Sequence, residues 1–183
     1  MQTSISISKI YTNDFVKQIS FSILFSFLTA VGAKFVVPIQ PIPITMQTFF
    51  VLLSGVILGA RFGMLSQIFY LCFGALGLPV FAGSEVGFMK IFGPTGGYLL
   101  SFPLAAFLIG YGIQYSKNFF WILFVAFYSL LIIFFFGTLH LYIFYLHNLE
   151  DAINKGFLIF SLWDLLKLFS VSFLSYQILN RKK

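Results

Sequence analysis

Charge is scarce in this chain. Asp, Glu, Lys and Arg make up 9% of its 183 residues, against 60% hydrophobic and 21% aromatic, with 27 Phe. No soluble domain of this length buries so much apolar surface, which excludes a water-soluble enzyme or binding module. Cysteine is nearly absent too. The single Cys72 lies in an apolar stretch, so no disulfide forms within the chain, and it reads most simply as a small packing residue. No Walker A sequence occurs, so the chain does not itself hydrolyse ATP. The first 20 residues are polar and lack a short apolar core followed by small residues, so no cleavable leader is expected.

What is present is organised by where the few charges fall. Uncharged runs cover 18–33, 35–60, 62–84, 91–116 and 118–149, and a sixth is broken only by Asp164 and Lys167. Each is close to the roughly 20 apolar residues that span a bilayer as a helix. The reading is an all-α integral membrane protein. It is one domain over 1–183, a bundle of six transmembrane helices at 18–37, 45–60, 62–76, 95–115, 118–139 and 156–179. With the N-terminus inside, Lys9, Lys17, Arg61, Lys117, Arg181, Lys182 and Lys183 are cytoplasmic. The outer side then holds Lys34, Lys90, Lys155, Glu85, Glu150 and Asp151, which cancel. This is the positive-inside pattern, with both termini cytoplasmic and no nucleic-acid partner needed to explain the basic excess. Trp121, near a span end, fits an interfacial anchor.

Asp164 and Lys167 are the most informative pair. At i and i+3 on a helix they share a face, and a charge at membrane depth normally faces a partner or a polar cavity. A carboxylate acceptor beside an ammonium donor suits a small polar ligand. It equally suits an ion pair that joins two helices. Under the inferred topology both lie in the outer half of the last helix, near the external surface.

Two segments break the helical pattern. Prolines at 38, 41 and 43 forbid a continuous helix and favour an extended path, after which Thr45 offers an N-cap. Glycines at 77, 83, 87, 93, 96 and 97 mark a second irregular segment. Irregular backbone this apolar is buried in protein or lines a cavity, and a cover over an outward pocket fits better than two plain external loops. Ser22, Ser26 and Ala30 recur at intervals of four. Small residues at that spacing allow close helix approach, either within the bundle or to another membrane protein.

The string Pro41-Ile42-Pro43-Ile44-Thr45-Met46-Gln47-Thr48 resembles the "PVPIT-x-QT" signature of the BioY family. The likeness continues through Leu52–Gly55, Leu58–Gly63, Gly74–Gly83 and Gly93–Leu100. It returns at Asp164-Leu165-Leu166-Lys167, similar to the family's "GDLLK", with Trp163 in place of the usual Gly. The resemblance implies the six-helix fold of a biotin-specific substrate-binding (S) component of an energy-coupling factor (ECF) transporter. Its site would be external and capped by the loops after helices 1 and 3. Asp164 and Lys167 would bond the ureido head of biotin, whose two N–H donors and carbonyl match a carboxylate and an ammonium. Tyr98 and Trp163 are candidate ring walls, and Gln47 a candidate lining residue. For the valerate carboxylate, Lys90 is the nearest cation and Ser84 and Thr95 offer hydroxyls, with Glu85 expected to face solvent.

The implied activity is biotin uptake across a prokaryotic cytoplasmic membrane, without chemistry or cofactor. The protein would act alone or with a membrane-coupling protein and a pair of ATPases. The Ser22/Ser26/Ala30 stripe is then the expected docking surface. Two other readings stand beside this one. A related vitamin such as thiamine or riboflavin would use the same fold. An intramembrane metal enzyme would use His140 and His147 with Glu150 and Asp151, although a seven-residue separation is not a compact ligand spacing.

Overall fold

The structure, a computed structural model, describes residues 7–39, 41–83, 87–158 and 162–180, with side chains from residue 14 onward. Its elements in order are helix α1 (Ile7–Lys34), strands β1 (Val36–Val37) and β2 (Ile44–Thr45), and helices α2 (Gln47–Ala75), α3 (Phe88–Phe92), α4 (Gly96–Gly112), α5 (Phe119–Leu141), α6 (Leu149–Ala152) and α7 (Leu162–Asn180). π-helical turns at Tyr142–Leu146 and Ile153–Phe157 flank α6.

Among the described residues, four stretches are by length and composition apolar enough to cross a membrane: Asp14–Lys34, Gln47–Ala75, Phe119–Leu146 and Leu162–Asn180. Gly96–Gly112 is a shorter apolar helix. The protein is thus a multi-pass, all-α membrane protein. Its apolar exterior follows from having lipid as solvent: Phe21, Leu24, Phe27, Phe124, Phe135 and Phe173 all point outward.

Helix α2 does not run straight. Gly59 has φ 78° and ψ 176°, a conformation essentially restricted to glycine. The amide of Gln67 lies 3.1 Å from the Ser54 hydroxyl. Along a continuous helix those residues would be about 20 Å apart. The arms 47–58 and 60–75 therefore double back on each other. They meet so closely that a Cβ on Gly63 would sit 2.6 Å from the Gly55 Cα. The charge-based boundary at Arg61 falls two residues beyond the turn, because the backbone there needs glycine rather than charge.

Small residues let the other helices approach as closely. A Cβ on Gly110 of α4 would sit 2.5 Å from the Ala60 nitrogen, and one on Gly55 would collide with the Ala106 carbonyl. Helix α2 packs most extensively on α4, then on α1. The Ser22/Ser26/Ala30 stripe is spent here. Ser22 and Ser26 are fully buried and Ala30 nearly so. The Ser22 hydroxyl lies 3.0 Å from the Phe62 carbonyl of α2. The expected docking surface is thus internal packing, because the fold-back of α2 places its second arm against this face of α1.

The three prolines sit between two short strands that pair antiparallel, Val36 with Thr45 and Val37 with Ile44. Thr45 belongs to β2 and is not the N-cap of α2; Met46 holds that position and makes no side-chain cap. The Thr45 hydroxyl still serves the helix start. It accepts from the Gln47 N–H at 3.4 Å and donates to Gln47 Oε1 at 2.8 Å.

Candidate functional site

The last helix brings Asp164 and Lys167 to the end of the bundle where α2 and α4 begin and α1 and α5 finish. Both are buried, at 3% and 5% exposure. Lys167 Nζ lies 2.6 Å from Asp164 Oδ1, so the two pair across one helical turn. The ammonium also donates to the Thr45 carbonyl at 2.9 Å and to the Thr48 hydroxyl at 2.8 Å. An ammonium has three donors, and all three are engaged. Lys167 thus fastens α7 to the segment that opens α2, and a ligand contact by Lys167 requires one of these bonds to yield. A buried charge pair survives only with such additional bonds, since desolvation otherwise exceeds the Coulombic gain.

A cavity opens against this pair. The loop after α1 forms one wall through Ile42–Thr45, and the loop after α2 forms another through Phe81 and Ala82. Apolar side chains make up most of the interior, with Tyr98, Phe102 and Phe134 contributing aromatic rings. Tyr98 is locked in place: its hydroxyl donates to the Gly156 carbonyl at 2.9 Å, and its ring meets Phe134 edge-on at 6.2 Å. A Cβ on Gly137 would strike that ring, so glycine there makes room for the tyrosine.

Six of the candidate residues line this cavity together: Gln47, Lys90, Thr95, Tyr98, Asp164 and Lys167. The Thr95 hydroxyl is buried with no hydrogen-bond partner among the described residues, an arrangement that invites a ligand oxygen. Trp163 is not among them. It is half exposed and lines a separate depression with Phe35, Val37 and Met46, because the turn of α7 that faces Asp164 inward points its neighbour out. Ser84 and Glu85 lie outside the described residues.

Some of the site was not singled out from sequence. Thr45 and Thr48 supply two of the three acceptors for Lys167. Phe81 and Phe102 supply walls. Tyr70 accepts a hydrogen bond from the Gln47 amide and donates to the Val80 carbonyl at 3.2 Å. In a chain this rich in aromatics, nothing in the sequence separates these rings from ordinary core.

His140 has a local structural role. Its Nε2 lies 3.2 Å from the Gly93 carbonyl, and a Cβ on Gly97 would run into it. Among the described residues no three His, Cys, Asp or Glu side chains come together as a metal site, so nothing favours the metal-enzyme reading.

Known proteins share this architecture. The profile of the BioY family matches residues 1–183. The chain is 43% identical over 145 residues to the biotin transporter BioY of Thermotoga maritima, covering 79% of this chain and 85% of that one. It is 51% identical over 96 residues to a Pyrococcus horikoshii protein named probable biotin transporter BioY, covering 52% and 59%. A crystal structure of the S-component for biotin from an ECF-type ABC transporter superposes with a TM-score of 0.83 at 25% identity, covering 93% of this chain and 94% of that one.

Proposed function

The chain belongs to the BioY family, and from that premise we propose that it takes up biotin, binding it on the outer side of the membrane in the cavity against Asp164 and Lys167. The observation that carries this reading is the buried ion pair set in the wall of a mostly apolar cavity. Biotin has the matching distribution of polarity. Its ureido group offers two N–H donors and one carbonyl, suited to Asp164 and, if one bond yields, to Lys167. Charge-assisted bonds of this kind are roughly twice as strong as neutral ones. The fused rings are apolar and suit Tyr98, Phe102 and Phe134. At the other end the orphaned Thr95 hydroxyl and the Lys90 ammonium suit the valerate carboxylate. No covalent step is involved: the protein binds, closes over the ligand and passes it inward.

The fold-back of α2 supports six membrane crossings, with α1, the two arms of α2, α4, α5 and α7 alternating in direction. The cavity then lies outside and the termini inside. An ECF coupling protein with its ATPase pair remains the proposed energising partner. With the small-residue stripe buried, such a partner would meet a lipid-facing surface instead.

Isothermal titration of biotin into detergent-purified protein tests the reading. The parent is expected to bind tightly. Asp164→Asn is expected to weaken binding by about 10- to 100-fold, the value of a bond to a buried charged group, and Lys167→Ala by at least as much. A folded parent that binds no biotin overturns the proposal. Undiminished binding in both variants returns the pair to a structural role.

A further inference from the structure

Two loops wall the cavity, and one buried hydroxyl touches both. Tyr70, on the second arm of α2, is 0% exposed and does not itself line the cavity. Its hydroxyl accepts from the side-chain amide of Gln47, which in turn accepts from Thr45 at the end of the first loop. The same hydroxyl donates to the carbonyl of Val80, in the second loop, at 3.2 Å. Its ring meets Phe81 edge-on at 5.4 Å and stacks against Phe102 at 6.3 Å, and both of those line the cavity. Burying a phenol in an apolar bundle is unfavourable unless its hydroxyl is paired. Here it has two partners, one associated with each wall.

Resting on the reading of a biotin site, we propose that Tyr70 is a positioning residue. Its hydroxyl ties the loop after α1 to the loop after α2, so that the two walls open together and release of biotin requires the tie to part. Phenylalanine at this position keeps the ring contacts and removes only the tie.

The test is the rate at which bound radiolabelled biotin leaves the purified protein. Tyr70→Phe is expected to release it about three- to tenfold faster, the value of one neutral hydrogen bond. Its association rate should remain near that of the parent, and its melting temperature should fall modestly, since the Gln47 amide and the Val80 carbonyl lose this buried partner. A lower melting temperature with an unchanged release rate would mark Tyr70 as a fold residue only and overturn the proposal. Hydrogen exchange in the parent gives a second readout that needs neither the variant nor the ligand. Backbone amides of 44–48 and 80–82 are expected to open at one common rate, and independent opening overturns the tie even where Tyr70→Phe does not fold. If the parent binds no biotin, the functional reading fails, while the exchange result still decides whether the loops are coupled.

Discussion

Lys167 and Asp164 have two roles that respond differently to substitution. Each compensates the other at 5% and 3% exposure, and each faces the cavity. Removing Lys167 alone takes the cation from a buried carboxylate and a donor from each of the Thr45 carbonyl and Thr48 hydroxyl, at a cost of about 3–5 kcal/mol. Replacing both charges with apolar side chains of similar size removes the uncompensated group. Lys167→Ala is therefore expected to melt well below the parent, and Asp164→Leu with Lys167→Met to melt near it or above it. Thermal unfolding in detergent measures this, and titration of the double variant is expected to show no biotin binding. A double variant as unstable as Lys167→Ala would mean that the pair is retained for stability. The shared face was legible in sequence, since the spacing is three residues, but the pairing was not, because a ligand site and an ion pair fit that spacing equally. The acceptors at Thr45 and Thr48 were not, because they lie more than 110 residues away in the chain and only the packing of α7 against the start of α2 brings them in. Tyr70 was hidden for another reason. One aromatic among many carries no mark until both partners of its hydroxyl are in view.

Glycine decides the geometry of the helices, by two separate mechanisms. At Gly59 a Cβ would meet nothing within 4 Å, so the requirement is the backbone angle alone, φ 78° with ψ 176°. At Gly55 the backbone is ordinary helix, but a Cβ would collide with the Ala106 carbonyl and lie 2.6 Å from the Ile109 side chain. Gly59→Ala is expected to cost about 1–3 kcal/mol through backbone strain, and Gly55→Ala a similar amount by forcing α2 and α4 apart. Only Gly55→Ala is expected to disturb α4, so its 96–112 amides should lose protection from hydrogen exchange while those of Gly59→Ala keep theirs. The same loss in both variants would contradict the assignment of separate causes. The prolines at 38, 41 and 43 did mark where α1 cannot continue, but the expected extended path is not what forms: the strands on either side pair antiparallel, Val37 with Ile44, so the chain reverses between them. That α2 folds back at Gly59 rather than at Arg61 was less apparent. The charge break and the backbone break are two residues apart, and sequence shows the charge more loudly.

At the scale of the whole molecule, the proposed orientation, with the cavity outside and the termini inside, is tested separately from binding. The end away from the cavity holds Lys17, Arg61 and Lys117 against Asp14. The cavity end holds Lys34, Lys90 and Lys155 against Glu150 and Asp151. Cationic residues near span ends favour the cytoplasm, whereas acidic ones contribute little; with three cations in each of these sets, the preference rests on Lys9, Arg181, Lys182 and Lys183 beside the termini in sequence. Uptake from outside requires the cavity end to face out. Two replacements test this directly in a Cys72→Ala background, since Cys72 lies exposed on α2. Lys155 makes only a surface pair with Asp151 at 3.5 Å, half exposed on both sides, which contributes little to stability. Lys117 engages Asn180 through its backbone carbonyl, which a side-chain change leaves intact. Lys155→Cys and Lys117→Cys should therefore both fold. A membrane-impermeant maleimide applied to intact cells is expected to label Lys155→Cys, and to label Lys117→Cys only once the cells are permeabilised. The reverse pattern would put the cavity on the cytoplasmic side and rule out capture from outside, whatever the protein's affinity for biotin in detergent.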